Sequence, residues 1–98
     1  MQINQNQADE TMTLTIEGRI DTITAPSLEA VINGLDSSVK VLILDMKGVE
    51  YISSAGLRVL LAAQKKMSRI GTLKLTGVCG AVMEVFEMTG FADILVIE

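Results

Sequence analysis

Histidine is absent from this chain of 98 residues, and cysteine and proline each occur only once. Without histidine the commonest general base is missing, which excludes Ser-His-Asp and Cys-His catalytic arrangements. The single cysteine, Cys79, excludes an internal disulfide and is typical of a protein in a reducing cytosol. No glycine pattern matches a phosphate-binding loop, and no residues have metal-ligand spacing. We therefore expect a non-enzyme with no catalytic residues, no metal site and no cofactor.

Positive charge and long apolar runs are also scarce. The net charge of −4 and the pI of about 4.7 argue against nucleic acid or an anionic membrane as a main partner. No apolar run approaches the ~18–20 residues of a membrane helix, and the N-terminus MQINQNQADE lacks the apolar core of a signal peptide. Length and composition predict one globular domain over residues 1–98, located in the cytoplasm and not inserted in a membrane.

Hydrophobic periodicity predicts alternating strands and helices. The expected strands are an edge strand at 2–7 and strands at 12–17, 39–46, 73–78 and 94–97. The expected helices are 25–35, 55–69 and 81–89, and residues 18–24 are expected to form a loop. The continuous apolar run at 39–46 is typical of a strand buried on both sides. This order predicts an α/β domain with a mostly parallel sheet of four to five strands and about three to four helices.

Two serines, Ser53 and Ser54, stand between the strand at 39–46 and the start of the next helix. A serine at a helix N-terminus usually caps a free backbone N–H group. An exposed pair of small hydroxyls followed by Ala55 and Gly56 also suits a protein kinase. The helix N-terminus would tolerate a phosphate, which carries about −1.5 to −2 charges. Capping and phosphorylation both remain open from the spacing alone.

Two other candidates for chemistry have simpler interpretations. Cys79 lies at a predicted strand-to-helix junction, where thiols can become reactive, but a cysteine there is much more often a small packed or capping residue. Asp21 and Asp45 could bind Mg²⁺, whereas isolated carboxylates usually cap turns or face solvent. Neither candidate therefore changes the expectation of a binding domain.

The segments GRIDTITAPSLEAVI, VKVLILDMKGVEYISSAGLRVLL and LTGVCGAVMEVFEMTGFADIL resemble the STAS domain of bacterial anti-sigma factor antagonists. The resemblance covers essentially the whole chain. In that family the helix start reads Asp-Ser-Ser/Thr-Gly-Leu, and the first hydroxyl is phosphorylated. Aligning Gly56 and Leu57 with the family's Gly-Leu pair implies that Ser54 is the phosphoacceptor. Ser53 then replaces the aspartate, and Ala55 the second hydroxyl.

The resemblance further implies a phosphorylation-controlled binding domain in a partner-switching pathway. Its partners would be an anti-sigma factor with serine kinase activity and a serine phosphatase, with no direct contact to nucleic acid. Asp21 matches a loop aspartate on the family's kinase-binding surface. The expected partner-binding residues are Asp21, Ser53, Ser54, Gly56 and Arg58. The sequence does not determine the oligomeric state.

Two other functions stay open. The first is an accessory STAS subunit of a lipid-trafficking ABC transporter or a similar complex, which would bind an ATPase without being phosphorylated. The second is a nucleotide-binding or catalytic domain, against which the missing histidine and the missing phosphate loop both argue. The neighbouring genes would separate the first function from a sigma-factor pathway, and an ATP or GTP titration would test the second.

Overall fold

A computed structural model describes residues 1–98 and contains a five-stranded sheet with the strand order β1-β2-β3-β4-β5. The strands are β1 (Gln2–Ala8), β2 (Thr11–Ile20), β3 (Val41–Ile52), β4 (Thr72–Thr76) and β5 (Val96–Ile97). The helices are α1 (Ala25–Asn33), α2 (Ser54–Ser68) and α3 (Gly80–Thr89), and a single 3₁₀ turn, Phe91–Asp93, precedes β5. The predicted α/β class and the numbers of strands and helices are confirmed.

The strand order in the sheet is the same as the order in the chain. β1 pairs antiparallel with β2, and β2, β3, β4 and β5 are all parallel. Each helix connects one parallel strand to the strand next to it, and all three connections run across the sheet in the same direction. Since such crossovers share one hand, α1, α2 and α3 all fall on the same face of the sheet.

The hydrophobic core lies between that face and the three helices. Of the 24 buried residues, 23 are hydrophobic and form one cluster, and the remaining one is Gly56. No polar or charged residue is buried. Two rows across the central strands supply the sheet side of the core: Met12, Leu42 and Leu73, and Leu14, Leu44 and Leu75. Ile43 and Asp45, on the other face of β3, are only half-buried. The prediction that this strand is buried on both sides was therefore wrong, because no helix covers its second face.

β3 is longer than the sequence predicted. The strand continues through the expected connection to Ile52, and its pairing with β2 shifts register twice, with one extra β3 residue each time. The buried positions consequently change from alternate residues to every third residue, at Met46, Val49 and Ile52. A spacing of three is not a strand period, which is why the sequence pattern hid the second half of β3.

β2 also extends further than predicted, and residues 18–20 belong to the strand rather than to a loop. The final strand is shorter than predicted, because Ile94 and Leu95 belong to the turn between the 3₁₀ helix and β5. Gly90 follows α3 with φ of +81°, a left-handed conformation that glycine commonly adopts at the end of a helix. None of the helices combines the length and the apolar character needed to span a membrane.

Candidate functional site

The carboxyl ends of β2 and β3 form one corner of the sheet. Ile20 pairs with Ile52 at the last position of the two parallel strands, and the Ser53 N–H donates to the Ile20 carbonyl at 2.8 Å. The β2–α1 turn and the start of α2 therefore emerge side by side. Parallel pairing of β2 and β3 thus places Asp21 at the same edge of the sheet as Ser53 and Ser54.

The two serines have different structural roles. Ser53 is the N-cap of α2, in an extended conformation, and its hydroxyl accepts a hydrogen bond from the Gly56 N–H at 3.4 Å. Ser54 is the first residue of the helix and is exposed, and its side chain makes no hydrogen bond in the structure. Capping therefore accounts for Ser53 and leaves the Ser54 hydroxyl accessible. The positive end of the α2 dipole adjoins that hydroxyl.

Asp21 organises the turn before α1. One carboxylate oxygen, Oδ1, accepts hydrogen bonds from the backbone N–H groups of Ile23 and Thr24, both at 3.0 Å. The Asp21 N–H donates to the Thr24 hydroxyl at 2.9 Å, and that hydroxyl in turn donates a hydrogen bond to the Arg19 carbonyl at 2.7 Å. Thr24 is the N-cap of α1, but its hydroxyl bonds within the turn and not to the helix.

These hydrogen bonds favour the ionised form of Asp21. The backbone hydrogen bond from Thr24 is the main reason that the pKa of Asp21 lies below its ordinary value of 3.8. Partial burial opposes this shift, while the Ile23 N–H, the Thr24 hydroxyl and the Arg19 guanidinium add to it. The carboxylate is thus charged and oriented, with 28% of its side chain still exposed.

Sequence reasoning missed the pair formed by Arg19 and Tyr51. These residues are opposite each other in the β2–β3 register, and the Arg19 guanidinium lies 4.2 Å from the centre of the Tyr51 ring. Arg19 Nε also lies 3.8 Å from Asp21 Oδ2. Only the full length of the two strands, which the sequence did not predict, brings this arginine beside the tyrosine. The pair extends the site across the sheet edge.

Gly56 and Arg58 contribute to the site in different ways. Gly56 is buried, and a Cβ atom there would lie 2.6 Å from Ile20 Cγ2 and 2.7 Å from Ile52 Cγ1. Gly56 therefore allows α2 to approach both strands closely, and it offers no surface to a partner. Arg58 is exposed and borders a groove of about 280 Å³ between α1 and α2. The other residues lining this groove are Thr22, Ala25, Pro26, Glu29, Ala55 and Val59.

The remaining candidates for chemistry have structural contacts of their own. Cys79 is the N-cap of α3, and its half-buried thiol lies 3.4 Å from the Val49 carbonyl. Asp45 accepts a hydrogen bond from the Lys47 N–H at 3.1 Å. No group of three or more cysteine, aspartate or glutamate side chains is arranged to hold a metal ion. Structural contacts therefore account for both Cys79 and Asp45.

Two relatives resemble this chain over nearly its full length. BtrV of Bordetella bronchiseptica, assigned as an anti-sigma factor antagonist, is 33% identical over 96% of this chain and 83% of its own. The anti-sigma-B factor antagonist of Bacillus subtilis is 31% identical over 95% of this chain and 84% of its own. The similarity therefore extends beyond the segment with the two serines to nearly the whole domain.

Solved structures show the same fold. An anti-sigma factor antagonist from Mycobacterium paratuberculosis superposes with a TM-score of 0.87 at 24% identity, covering 98% of this chain and 83% of its own. The phosphorylated form of the Bacillus cell fate determinant SpoIIAA superposes with a TM-score of 0.77 at 16% identity, covering 99% of this chain and 91% of its own. The STAS domain family model matches residues 2–98, and this chain belongs to the STAS domain family.

Proposed function

We propose that this domain is an anti-sigma factor antagonist whose binding is controlled by phosphorylation of Ser54. The main support for the proposal is that the two serines at the start of α2 have different structural roles. Ser53 supplies the helix cap, and Ser54 beside it is exposed and unbonded. A kinase can then modify Ser54 without removing a hydrogen bond that the fold uses.

The unphosphorylated domain binds an anti-sigma factor that is also a serine kinase, and this binding releases a sigma factor. Both relatives above 30% identity are named as anti-sigma factor antagonists, which supports this partner class. The kinase brings its own ATP and Mg²⁺, a phosphatase reverses the modification, and the domain itself is not an enzyme. The pathway operates in the cytoplasm, where the sigma factor acts.

Phosphorylation acts on the interface and leaves the fold intact. Backbone N–H groups at the start of α2 can bind the phosphate, because a helix N-terminus favours negative charge. A partner that covers Ser54 would have to bury about −1.5 to −2 charges, which costs several kcal/mol at a surface not prepared for them. SpoIIAA, a protein of the same fold, has been solved in a phosphorylated form, so the fold accommodates the modification there.

The proposed contact surface comprises Asp21, Ser53, Ser54 and Arg58. Asp21 and Arg58 add charges of opposite sign to this surface, so that a partner is oriented by complementary charges. Ser53 acts indirectly by fixing the helix start, and Gly56 acts by letting that helix sit against the strands. In this sequence Ser53 thus fixes the helix start at the position where the family has an aspartate.

Phosphorylation by the serine kinase encoded in the same genome tests the proposal. The purified domain is incubated with that kinase, ATP and Mg²⁺, and the phosphate is located by peptide mass spectrometry. We expect one phosphate, on Ser54. Ser53→Ala should still be modified, and Ser54→Ala should not.

A phosphate on Ser53 with Ser54 unmodified would refute the assignment of the acceptor. If no kinase modifies the domain and it instead forms a stable complex with a transporter ATPase, the accessory-subunit function replaces the proposed one. The two outcomes are distinguished by running both incubations on the same preparation.

A further inference from the structure

Ile23 is the most exposed large hydrophobic residue of the chain, with 86% of its surface accessible. It occupies the turn between Asp21 and Thr24, directly beside the candidate site. Burial would remove most of an isoleucine side chain from water, which is among the largest favourable contributions a single apolar residue can make to binding. Single exposed hydrophobic residues are common, but Ile23 is distinguished by its place beside the candidate site.

The turn holds Ile23 in a fixed position. The backbone N–H of Ile23 donates to Asp21 Oδ1 at 3.0 Å, and the Ala25 N–H donates to the Asp21 carbonyl at 2.8 Å. The hydrogen bonds of Thr24 close the same turn from the other side. Isoleucine is also branched at Cβ, which restricts its χ1 angle. Little conformational freedom would be lost when a partner covers this side chain, so its burial would contribute fully to affinity.

Ile23 is continuous with the surface around Ser54. Thr22, next to Ile23, and Ala55, next to Ser54, line the same groove between α1 and α2. Across the sheet edge from the turn, Tyr51 is 42% exposed and packs under the Arg19 guanidinium. A partner that occupies this groove contacts the sequence neighbours of both Ser54 and Ile23, so that one interface can include both residues.

We propose that Ile23 is the apolar anchor of this interface and inserts into a preformed apolar pocket on the anti-sigma factor. The inference rests on the proposed function and adds a residue that determines partner choice. Charged and polar groups around Ser54 orient the two proteins, and Ile23 supplies the desolvated centre that dominates affinity in such interfaces. The partner must be a protein with a pocket that fits a branched four-carbon side chain. A membrane is a poor alternative, because the domain carries a net charge of −4.

Replacing Ile23 by threonine tests the inference, because threonine keeps the Cβ branching and removes the apolar end. The probe is the purified anti-sigma factor from the same genome that binds the wild-type domain, and affinity is measured by isothermal titration calorimetry. We expect Ile23→Thr to bind at least about tenfold more weakly. Ile23→Val, which removes one methylene, should lose only a few-fold. Thermal midpoints of both variants should match the wild type.

Met88 provides a matched control. It is 82% exposed, nearly as much as Ile23, and lies on α3, away from the β2–α1 turn. Met88→Gln keeps the side-chain length and should leave affinity unchanged. Equal affinity of Ile23→Thr and wild type, or an equal loss in Met88→Gln, would overturn the anchor while the proposed function stands. Failure of the wild-type domain to bind any anti-sigma factor of its genome would overturn both.

Discussion

The starts of α1 and α2 lie at the same sheet edge, yet they use their polar side chains in opposite ways. Before α1, Asp21 and Thr24 direct their hydrogen bonds into their own turn. Before α2, Ser53 alone caps the helix, and Ser54 makes no hydrogen bond. The first region is a turn closed by its own hydrogen bonds. The second leaves one exposed hydroxyl without a hydrogen-bond partner.

The difference follows from the conformation of the two N-cap residues. Ser53 has φ −94° and ψ 175°, the extended geometry from which an N-cap side chain can reach the third backbone N–H of its helix. Thr24 has φ −91° and ψ −24°, which is helical, so its side chain is not directed at the helix N–H groups. The Thr24 hydroxyl meets the Asp21 N–H and the Arg19 carbonyl instead. A rigid turn is the result.

The largest effect is expected where α2 touches the strands. Gly56→Ala would place a methyl group within 2.7 Å of two buried isoleucines, Ile20 and Ile52. Overpacking of this kind costs about 1–3 kcal/mol of unfolding free energy, measured by urea denaturation. Gly80→Ala, at the start of α3, is the matched control, because a Cβ atom there would meet no neighbouring atom within 4 Å. That variant should be unchanged or more stable by about 0.4–1 kcal/mol.

Charge at Ser54 should separate binding from folding. We expect Ser54→Asp to bind the anti-sigma factor at least about tenfold more weakly than Ser54→Ala, which corresponds to ~1.4 kcal/mol. Thermal midpoints of the two variants should be similar, because a negative charge at a helix N-terminus is neutral to mildly stabilising. Calorimetric titration and thermal unfolding measure the two quantities. Unfolding of Ser54→Asp, or binding equal to that of Ser54→Ala, would rule out the switch.

Comparing the unfolding free energies of two alanine variants tests whether the two serines have different structural roles. Ser53→Ala removes the cap of α2 and should lower the unfolding free energy by about 0.5–1 kcal/mol, towards the low end for N-caps because its hydrogen bond is long, at 3.4 Å. Ser54→Ala removes no hydrogen bond and should change the unfolding free energy by less than about 0.5 kcal/mol. Equal losses in the two variants would mean that the serines share the capping role.

The smallest effect concerns the charge of Asp21. A pKa lowered by folding means that the ionised carboxylate stabilises the folded state above the unfolded-state pKa, near 3.8, and that this contribution is lost as pH falls through the lower folded-state value. The stability difference between wild type and Asp21→Asn should therefore be present at neutral pH and shrink below about pH 3.8. Urea denaturation at several pH values measures it. A difference that grows towards acid would contradict the assigned direction.

Asp36 offers the control for that pH series. Its pKa is also lowered, chiefly by the backbone hydrogen bond from Ser38, but it follows the end of α1 and so lies at the opposite end of that helix from Asp21. Asp36→Asn should show the same pH trend in stability and no change in partner affinity. Asp21→Asn should show the trend together with weaker binding. Identical binding by the two variants would remove Asp21 from the proposed contact surface.

Sequence patterns predicted the parts of this fold that follow one regular period. The helical spacing of Leu28 and Ile32 located α1, and the alternation of Met12, Leu14 and Ile16 located the first half of β2. The second half of β3 escaped prediction, because two register shifts break the strand period there. The same shifts bring Arg19 opposite Tyr51, so the missed strand and the missed site residues have one cause.

The sequence by itself determined the class of fold, the absence of histidine chemistry and the position of two serines at a helix start. Those features depend on residue type and local period, which can be read along the chain. Only the tertiary structure decided which serine caps the helix, because that choice depends on where β3 ends. The structure also decided that Asp21 closes its turn and leaves Ile23 in solvent. Both facts depend on hydrogen bonds between side chains and neighbouring backbone groups, whose geometry no residue pattern specifies.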